Sequence, residues 1–307
     1  MKKIWVIVSV SLAMTMWGST FVVFKYANES LDPISIIFFR LLVSVVFLFI
    51  FARLAGRLQR LDRKDLRWFL LLTLFEPFFY FLGESYGLSM ISSTLAAVIV
   101  STIPLVVPVA AWFFYRERLT WMNILGLFIS FGGVLMVILA NAQDFSANLK
   151  GILLEFVAVI SAVGYTIVVK RLVNKYNPIT ITAWQSLIGS VYIFPLFLLV
   201  DYPGMDFRQI LPESIWAVVY LGIFGSSLAF IFFTIGIREL GAARANIYAN
   251  LVPVVAAVTA VIFIQEPMPL IKIFGITLVI SGLFLSQVNG LLKNKNGKRR
   301  WMYRSTV

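Results

Sequence analysis

Polar residues punctuate this chain between long apolar runs. Ten such runs stand out, at about residues 4–25, 33–52, 68–89, 92–115, 121–140, 151–169, 179–200, 214–237, 244–265 and 270–288. Each holds about 20 residues, which at 1.5 Å rise crosses a hydrocarbon core of about 30 Å. The connections are mostly short and leave no room for a soluble domain. The pattern predicts an all-α polytopic membrane protein with ten transmembrane helices. Within the fourth run, STIPLVVP (101–108) carries Pro104 and Pro108, although proline removes a backbone donor and costs a soluble helix about 3 kcal/mol.

Composition agrees with the pattern, and charge orients it. The 307 residues are 60% hydrophobic and 13% charged, against about 45–50% and about 25% in soluble domains. Mean hydropathy is +0.92. A net charge of +12 would suit nucleic acid, but with loops taken alternately as inside and outside, 21 of the 26 Lys/Arg fall on the side of the N-terminus. Only Lys150, Arg208 and Lys272 fall on the other, and Lys25 and Arg40 lie within or at the edge of runs. Such an excess marks the cytoplasmic side. Both termini are therefore expected in the cytoplasm, in a multi-pass protein of the inner (cytoplasmic) membrane with no nucleic-acid partner. The start MKKIWVIVSVSLAM has the basic and apolar parts of a signal peptide, but no small-x-small cleavage site follows, so it reads as a retained first span. The chain has no Cys and no His, which excludes thiol chemistry, disulfides and the usual zinc or haem ligands. No metal or other cofactor is expected.

Shifted against itself by 149 residues, the segment 87–133 aligns with 236–282 without a gap, and 11 of 47 positions are identical. The punctuation coincides: Gly87/Gly236, Pro104/Pro253, Glu117/Glu266, Gly126/Gly275 and Gly133/Gly282. Upstream, Gly18-Ser19-Thr20 pairs with Gly164-Tyr165-Thr166 and Pro33 with Pro178. The chain divides into two five-span halves, 1–145 and 146–290, followed by a basic cytoplasmic tail, 291–307. Because five is odd, the second half crosses the membrane inverted, as in transporters whose solute site lies at the repeat interface. Pro104 and Pro253, at matching places in spans four and nine, are expected to bend them around the transport path and to free the carbonyls of Val100 and Ala249. The alternative is ordinary membrane-helix proline whose freed groups neighbours satisfy; that is the expectation for Pro108 and Pro195, which lack a partner.

These features, taken in order, resemble the EamA-type ten-helix exporters of the drug/metabolite transporter superfamily. The residues that carry the likeness are WGSTFVVFK (17–25), Pro33, Arg40, GLSMISSTLAAVI (87–99), Pro104, Glu117, Gly126 and Gly133, and then Gly236, Pro253, Glu266, Gly275 and Gly282. The likeness covers about residues 4–288. The second half departs from the first at Gln185, opposite Arg40, and at Val163, opposite Trp17. Glu76 and Glu84 stand outside the broad pattern. The resemblance implies a central cavity between the halves, open alternately to either side, and export of small metabolites, often amino acids.

Charges within spans are costly and mark functional candidates. Arg40, Glu84 and Glu155 fall at similar depth in the outer half, so Arg40 is expected to pair with Glu84 or Glu155, with binding of a solute carboxylate as its second possible role. Lys25, at a span end, is expected to snorkel. Glu76 lies near mid-depth, where it could carry a proton, read a solute ammonium or bond a neighbouring helix. Tyr80 and Glu84 follow it at i+4 and i+8, close to one helical face. Ser101, Asn246 and Asn250 flank the matched prolines, and Trp17, Tyr165 and Trp184 could form an aromatic wall for an apolar or cationic solute. Glu117 and Glu266 are expected to serve the N-termini of spans five and ten.

The expected function is secondary transport of a small organic solute, an amino acid or related amine, with a coupling proton as a possible partner. The alternatives are a sugar-phosphate or nucleotide-sugar exchanger, which would need more cations in the cavity, and a membrane enzyme built on a carboxylate pair such as Glu76 and Glu84.

Overall fold

The computed structural model describes residues 2–107, 121–140, 145–241, 245–246 and 248–296. Pro108, Glu117 and the tail beyond Asn296 lie outside the described residues. Among those described, every regular element is helical. Six helices are long and apolar enough to cross a membrane: α1 (Lys2–Ala27), α2 (Pro33–Leu54), α3 (Leu66–Met90), α6 (Phe145–Leu172), α7 (Pro178–Gly204) and α8 (Pro212–Leu240). Four more contain shorter apolar stretches: α4 (Ser93–Val107), α5 (Trp121–Ala140), α9 (Leu251–Ile264) and α10 (Leu270–Asn296). The chain is a multi-pass, all-helical membrane protein.

Helix starts follow local chemistry. Pro33, Pro178 and Pro212 open α2, α7 and α8, where a missing N–H costs nothing. Asn177 Oδ1 accepts from Thr180 N at 2.9 Å, and Ser92 Oγ from Leu95 N at 3.3 Å, capping α7 and α4. Asp201, near the end of α7, caps α2 from outside, its Oδ2 accepting from Ser35 N at 2.7 Å and Ser35 Oγ at 2.8 Å.

Packing runs between the sequence halves. α2 lies on α7, α1 between α8 and α9, α4 against α9, and α5 against α10. The α5–α10 contact is backbone on backbone. A Cβ on Gly133 would stand 2.5 Å from the Gly275 carbonyl, and one on Gly282 2.6 Å from the Gly126 carbonyl. Glycine permits that approach, and close packing replaces a hydrophobic force that lipid cannot supply. Because 126 meets 282 while 133 meets 275, the two helices run antiparallel.

Several helices are interrupted, and one interruption corrects the expectation of a single regular third span. Pro77 lies inside α3, and Glu76 before it adopts φ −145°, ψ 117° within a widened turn, Leu74–Phe79. The residue preceding proline is driven out of the helical region. Glu76 therefore does not share a continuous helical face with Tyr80 and Glu84. In α4 a turn at Ser101–Thr102 precedes Pro104, and in the second half a tight Tyr248–Asn250 turn precedes Pro253.

Two end residues act elsewhere than expected. Lys25 does not snorkel to water: its Nζ donates to the carbonyls of Leu88, and of Ile91 at 2.7 Å, satisfying acceptors that the end of α3 leaves open. Glu266 does not serve α10 alone. The non-helical 265–269 segment carries its carboxylate toward α4, where Oε2 accepts from Thr94 N at 3.3 Å, while Oε1 meets Lys272 Nζ at 3.2 Å.

The α2–α3 loop is clamped to the α6–α7 turn. Lys175 Nζ bonds Asp62 Oδ2 at 3.0 Å and also Asp65, to which the Tyr176 hydroxyl donates at 2.8 Å. Gln59 Oε1 accepts from Asn177 N, and the Arg57 carbonyl from Asn177 Nδ2, each at 2.6 Å. The hydrogen bonds to Lys175 hold both Asp carboxyls below the usual range, and the two aspartates raise the Lys175 ammonium above its own.

Candidate functional site

Helices α1, α2, α3, α4, α6 and α8, with Asn246, Ala249 and Val252, surround a cavity of about 70 Å³. A buried water needs at least about 10–15 Å³ on this scale, so the space takes several waters or the polar end of a compact solute. Six of the residues expected to bind solute line it: Trp17, Glu76, Tyr80, Ser101, Tyr165 and Asn246. Arg40 and Glu84 line it too. Glu155 is not among its wall residues, and the side chain of Asn250 lies outside the described residues. Trp184 is also elsewhere. It stands at the loop clamp, its indole donating to the Gln59 carbonyl at 3.4 Å and its ring meeting Phe49 edge-on; hydropathy alone gives no direction around a helix.

The charged wall is organised by Arg40, which is 3% exposed. Its Nη1 is 3.8 Å from Glu84 Oε2, its Nε donates to Ser226 Oγ at 2.9 Å, and its guanidinium lies 4.0 Å from the Phe81 ring centroid. A planar cation suits this combination of ion pair, neutral acceptor and aromatic face. Tyr80 donates its hydroxyl to Glu84 Oε1 at 3.0 Å, so Glu84 is held from two sides. Gly225 leaves room for the arrangement: a Cβ there would stand 3.0 Å from Arg40 Nη2.

Glu76 reaches the cavity from the break in α3. Its main-chain carbonyl accepts from Gln185 Nε2 at 3.0 Å, so a second-half residue stabilises the opened turn. Gln185 was visible only as the counterpart of Arg40; Phe81 and Ser226 carried no signal of their own in so apolar and serine-containing a chain. Of the three rings expected to form an aromatic wall, Trp17 and Tyr165 line the cavity and Trp184 does not. Trp17 donates from Nε1 to the Gly225 carbonyl at 3.1 Å and meets Phe230 and Phe233 edge-on at 5.2 and 5.0 Å, while Tyr165 meets Phe230 at 5.9 Å. Ser101 Oγ bonds the Val98 carbonyl at 2.7 Å beside the α4 turn. The cavity thus joins one guanidinium and two carboxyls to apolar rings, a set able to bind and orient an ionic organic solute.

Among known proteins, the EamA-like transporter family model matches twice, over residues 4–139 and 149–287. An uncharacterized transporter of Archaeoglobus fulgidus is 30% identical over 93% of this chain and 98% of its own length. The uncharacterized transporter YetK of Bacillus subtilis is 26% identical over 94% and 88%. A protein crystal structure with 16% identity superposes with a TM-score of 0.70 over 92% of this chain and 98% of that one, a likeness of fold. Glu76 and Glu84 do share one cavity, as a carboxylate-pair enzyme would need, but the family and these relatives are transporters. The chain belongs to the EamA-like transporter family and is a membrane transporter, not an enzyme.

Proposed function

We propose that this transporter exports a small zwitterionic or cationic solute, an amino acid or related amine, by alternating access. Its ten spans form two inverted five-helix halves, 1–145 and 146–290, with both termini and the basic 291–307 tail on the cytoplasmic side of the inner membrane. Three features support the inverted arrangement. The family matches each half, both matched prolines follow an interrupted turn, and the glycine contacts of α5 and α10 exchange under the repeat: 126·282 becomes 275·133. A pseudo-twofold axis in the membrane plane has that property.

The observation that carries the substrate class is the shared cavity of Arg40, Glu76 and Glu84 beside Trp17 and Tyr165. An ammonium group is complementary to Glu76, and a carboxylate to the face of Arg40 that Glu84 leaves open. Sugar phosphates are less well served, because their two or more negative charges call for further cations, and Arg40 is the only Lys or Arg among the described residues that line the cavity. The test is counterflow in proteoliposomes with labelled aromatic, aliphatic and basic amino acids, a polyamine and a sugar phosphate, comparing wild type with Glu76→Gln. Exchange of an amino acid or amine, lost in the variant, is expected. Movement of the sugar phosphate alone would replace this substrate class, and unchanged flux in the variant would remove Glu76 from the site.

A further inference from the structure

Glu155 on α6 stands outside the cavity and has no role in the scheme above. It is 0% exposed, and its carboxyl lies on the backbone of α3, where a Cβ on Gly87 would be 2.5 Å from Oε1. Neither carboxyl oxygen has a hydrogen-bond partner among the described residues. Buried polar atoms are rarely left in this condition. A carboxylate anion without a donor or a paired cation is the most expensive occupant of such a place, and a neutral acid the least.

Its position along α3 gives the orphan carboxyl a meaning. Gly87 is three residues past Glu84, which faces the solute cavity in its ion pair with Arg40. It is one residue before Leu88, whose carbonyl, with that of Ile91, holds Lys25. Glu155 therefore lies between the cavity wall and the end of α3 where Lys25 and Glu266 gather. The titratable groups that act on it or that it acts on are Glu84 and Tyr80 of α3 and Lys25 of α1. Helix α4, which packs on α6, and α5, whose Phe131 stacks on Phe156 of α6, carry no charged residue, and Glu213, Arg238 and Glu239 of α8 lie near that helix's ends.

We infer that Glu155 is a coupling-proton site separate from the solute cavity. This rests on the alternating-access reading above. The carboxylate takes a proton from water of the outer compartment, becomes the neutral acid in the closed pocket seen here, and returns the proton to water of the inner compartment as solute moves outward. No other reactant is needed. Because the pocket is closed to water, exchange requires α3 and α6 to part, which ties proton movement to the conformational cycle.

The test uses the full chain in proteoliposomes and two readouts. Infrared spectra at neutral pH should show a protonated-carboxyl C=O band that Glu155→Gln removes and the shorter acid of Glu155→Asp restores; a spectrum unchanged in Glu155→Gln overturns the inference without reference to any solute. With a solute that exchanges in counterflow, a pH gradient, acid outside, should raise wild-type outward flux about fivefold and leave Glu155→Gln flux at its gradient-free rate while exchange persists. A wild type indifferent to the gradient, or a variant that responds equally, also overturns it. If no tested solute exchanges in wild type, the substrate reading fails, and the infrared band still decides whether Glu155 holds a proton.

Discussion

Gln185 Nε2 donates to the main-chain carbonyl of Glu76 at 3.0 Å, across the interface between the sequence halves. The bond falls where Pro77 opens α3, so a residue of α7 completes the turn that presents Glu76 to the cavity. Gln185→Leu would leave this buried acceptor unpaired, while removing the amide oxygen Oε1, which has no partner among the described residues. One orphan replaces another, so the expected loss is small, about 1 kcal/mol. Thermal unfolding in detergent should show a modest drop, with a larger fractional loss of transport because Glu76 loses its support.

Arg40 and Glu84 should behave as a coupled pair. Arg40→Ala leaves Glu84 buried without its cation and should cost about 3–5 kcal/mol. Adding Glu84→Gln should recover part of that loss, and a double-mutant cycle should return a coupling above about 0.5 kcal/mol. Strictly additive effects would mean that the 3.8 Å contact contributes nothing to stability. Arg40→Lys should rescue poorly, because an ammonium cannot serve Ser226, Glu84 and the Phe81 face together.

The glycine crossing predicts intolerance of bulk. Gly133→Val places its side chain against the Gly275 carbonyl and Val279 N. Overpacking of this kind costs about 1–3 kcal/mol. The unfolding temperature of the intact protein should fall, whereas Gly132→Val, with nothing within 4 Å of its Cβ position, should change little. Equal effects at the two sites would contradict the described contact.

The loop clamp has a defined pH window. Asp62 and Asp65, lowered in the folded protein, contribute fully above the ordinary 3.8 and lose the contribution as pH falls through their depressed values. Lys175, raised, contributes fully below the ordinary 10.5 and loses it as pH rises through its elevated value. The clamp should therefore hold unchanged from about pH 4 to about pH 10. The chain's lack of cysteine allows spin labels at Arg60→Cys and Asn174→Cys. Their distance distribution should stay narrow across that window and broaden outside it, and Asp62→Asn/Asp65→Asn should broaden it at neutral pH.

Much of the scaffold was legible because apolar length is a one-dimensional property. The runs at 33–52 and 179–200 became α2 and α7 with proline at their first positions. Depth was legible for the same reason, and placed Arg40 level with Glu84. Direction around a helix was not, which is why Trp184 was expected in the cavity and stands at the clamp. The break at Glu76 had a local signal, the Glu-Pro pair, that the hydropathy of its surroundings obscured. The partners of Lys25 and Glu266 had none: each meets a helix end brought near by packing, and only the assembled fold identifies which carbonyls or amides are left open.

The clamp at Lys175 also differs in kind from the contacts deeper in the protein. Its charges stand in water, with the Lys175 side chain 51% exposed, so dissolved ions reach them, while burial inside the protein shields the pair at Arg40. At an ionic strength of 0.15 M screening acts over about 8 Å, and at 1 M over about 3 Å. The tie between the two halves is consequently weaker in a salty compartment than in a dilute one. Osmotic conditions that concentrate the fluid bathing that face would loosen it without any change in solute, lipid or pH.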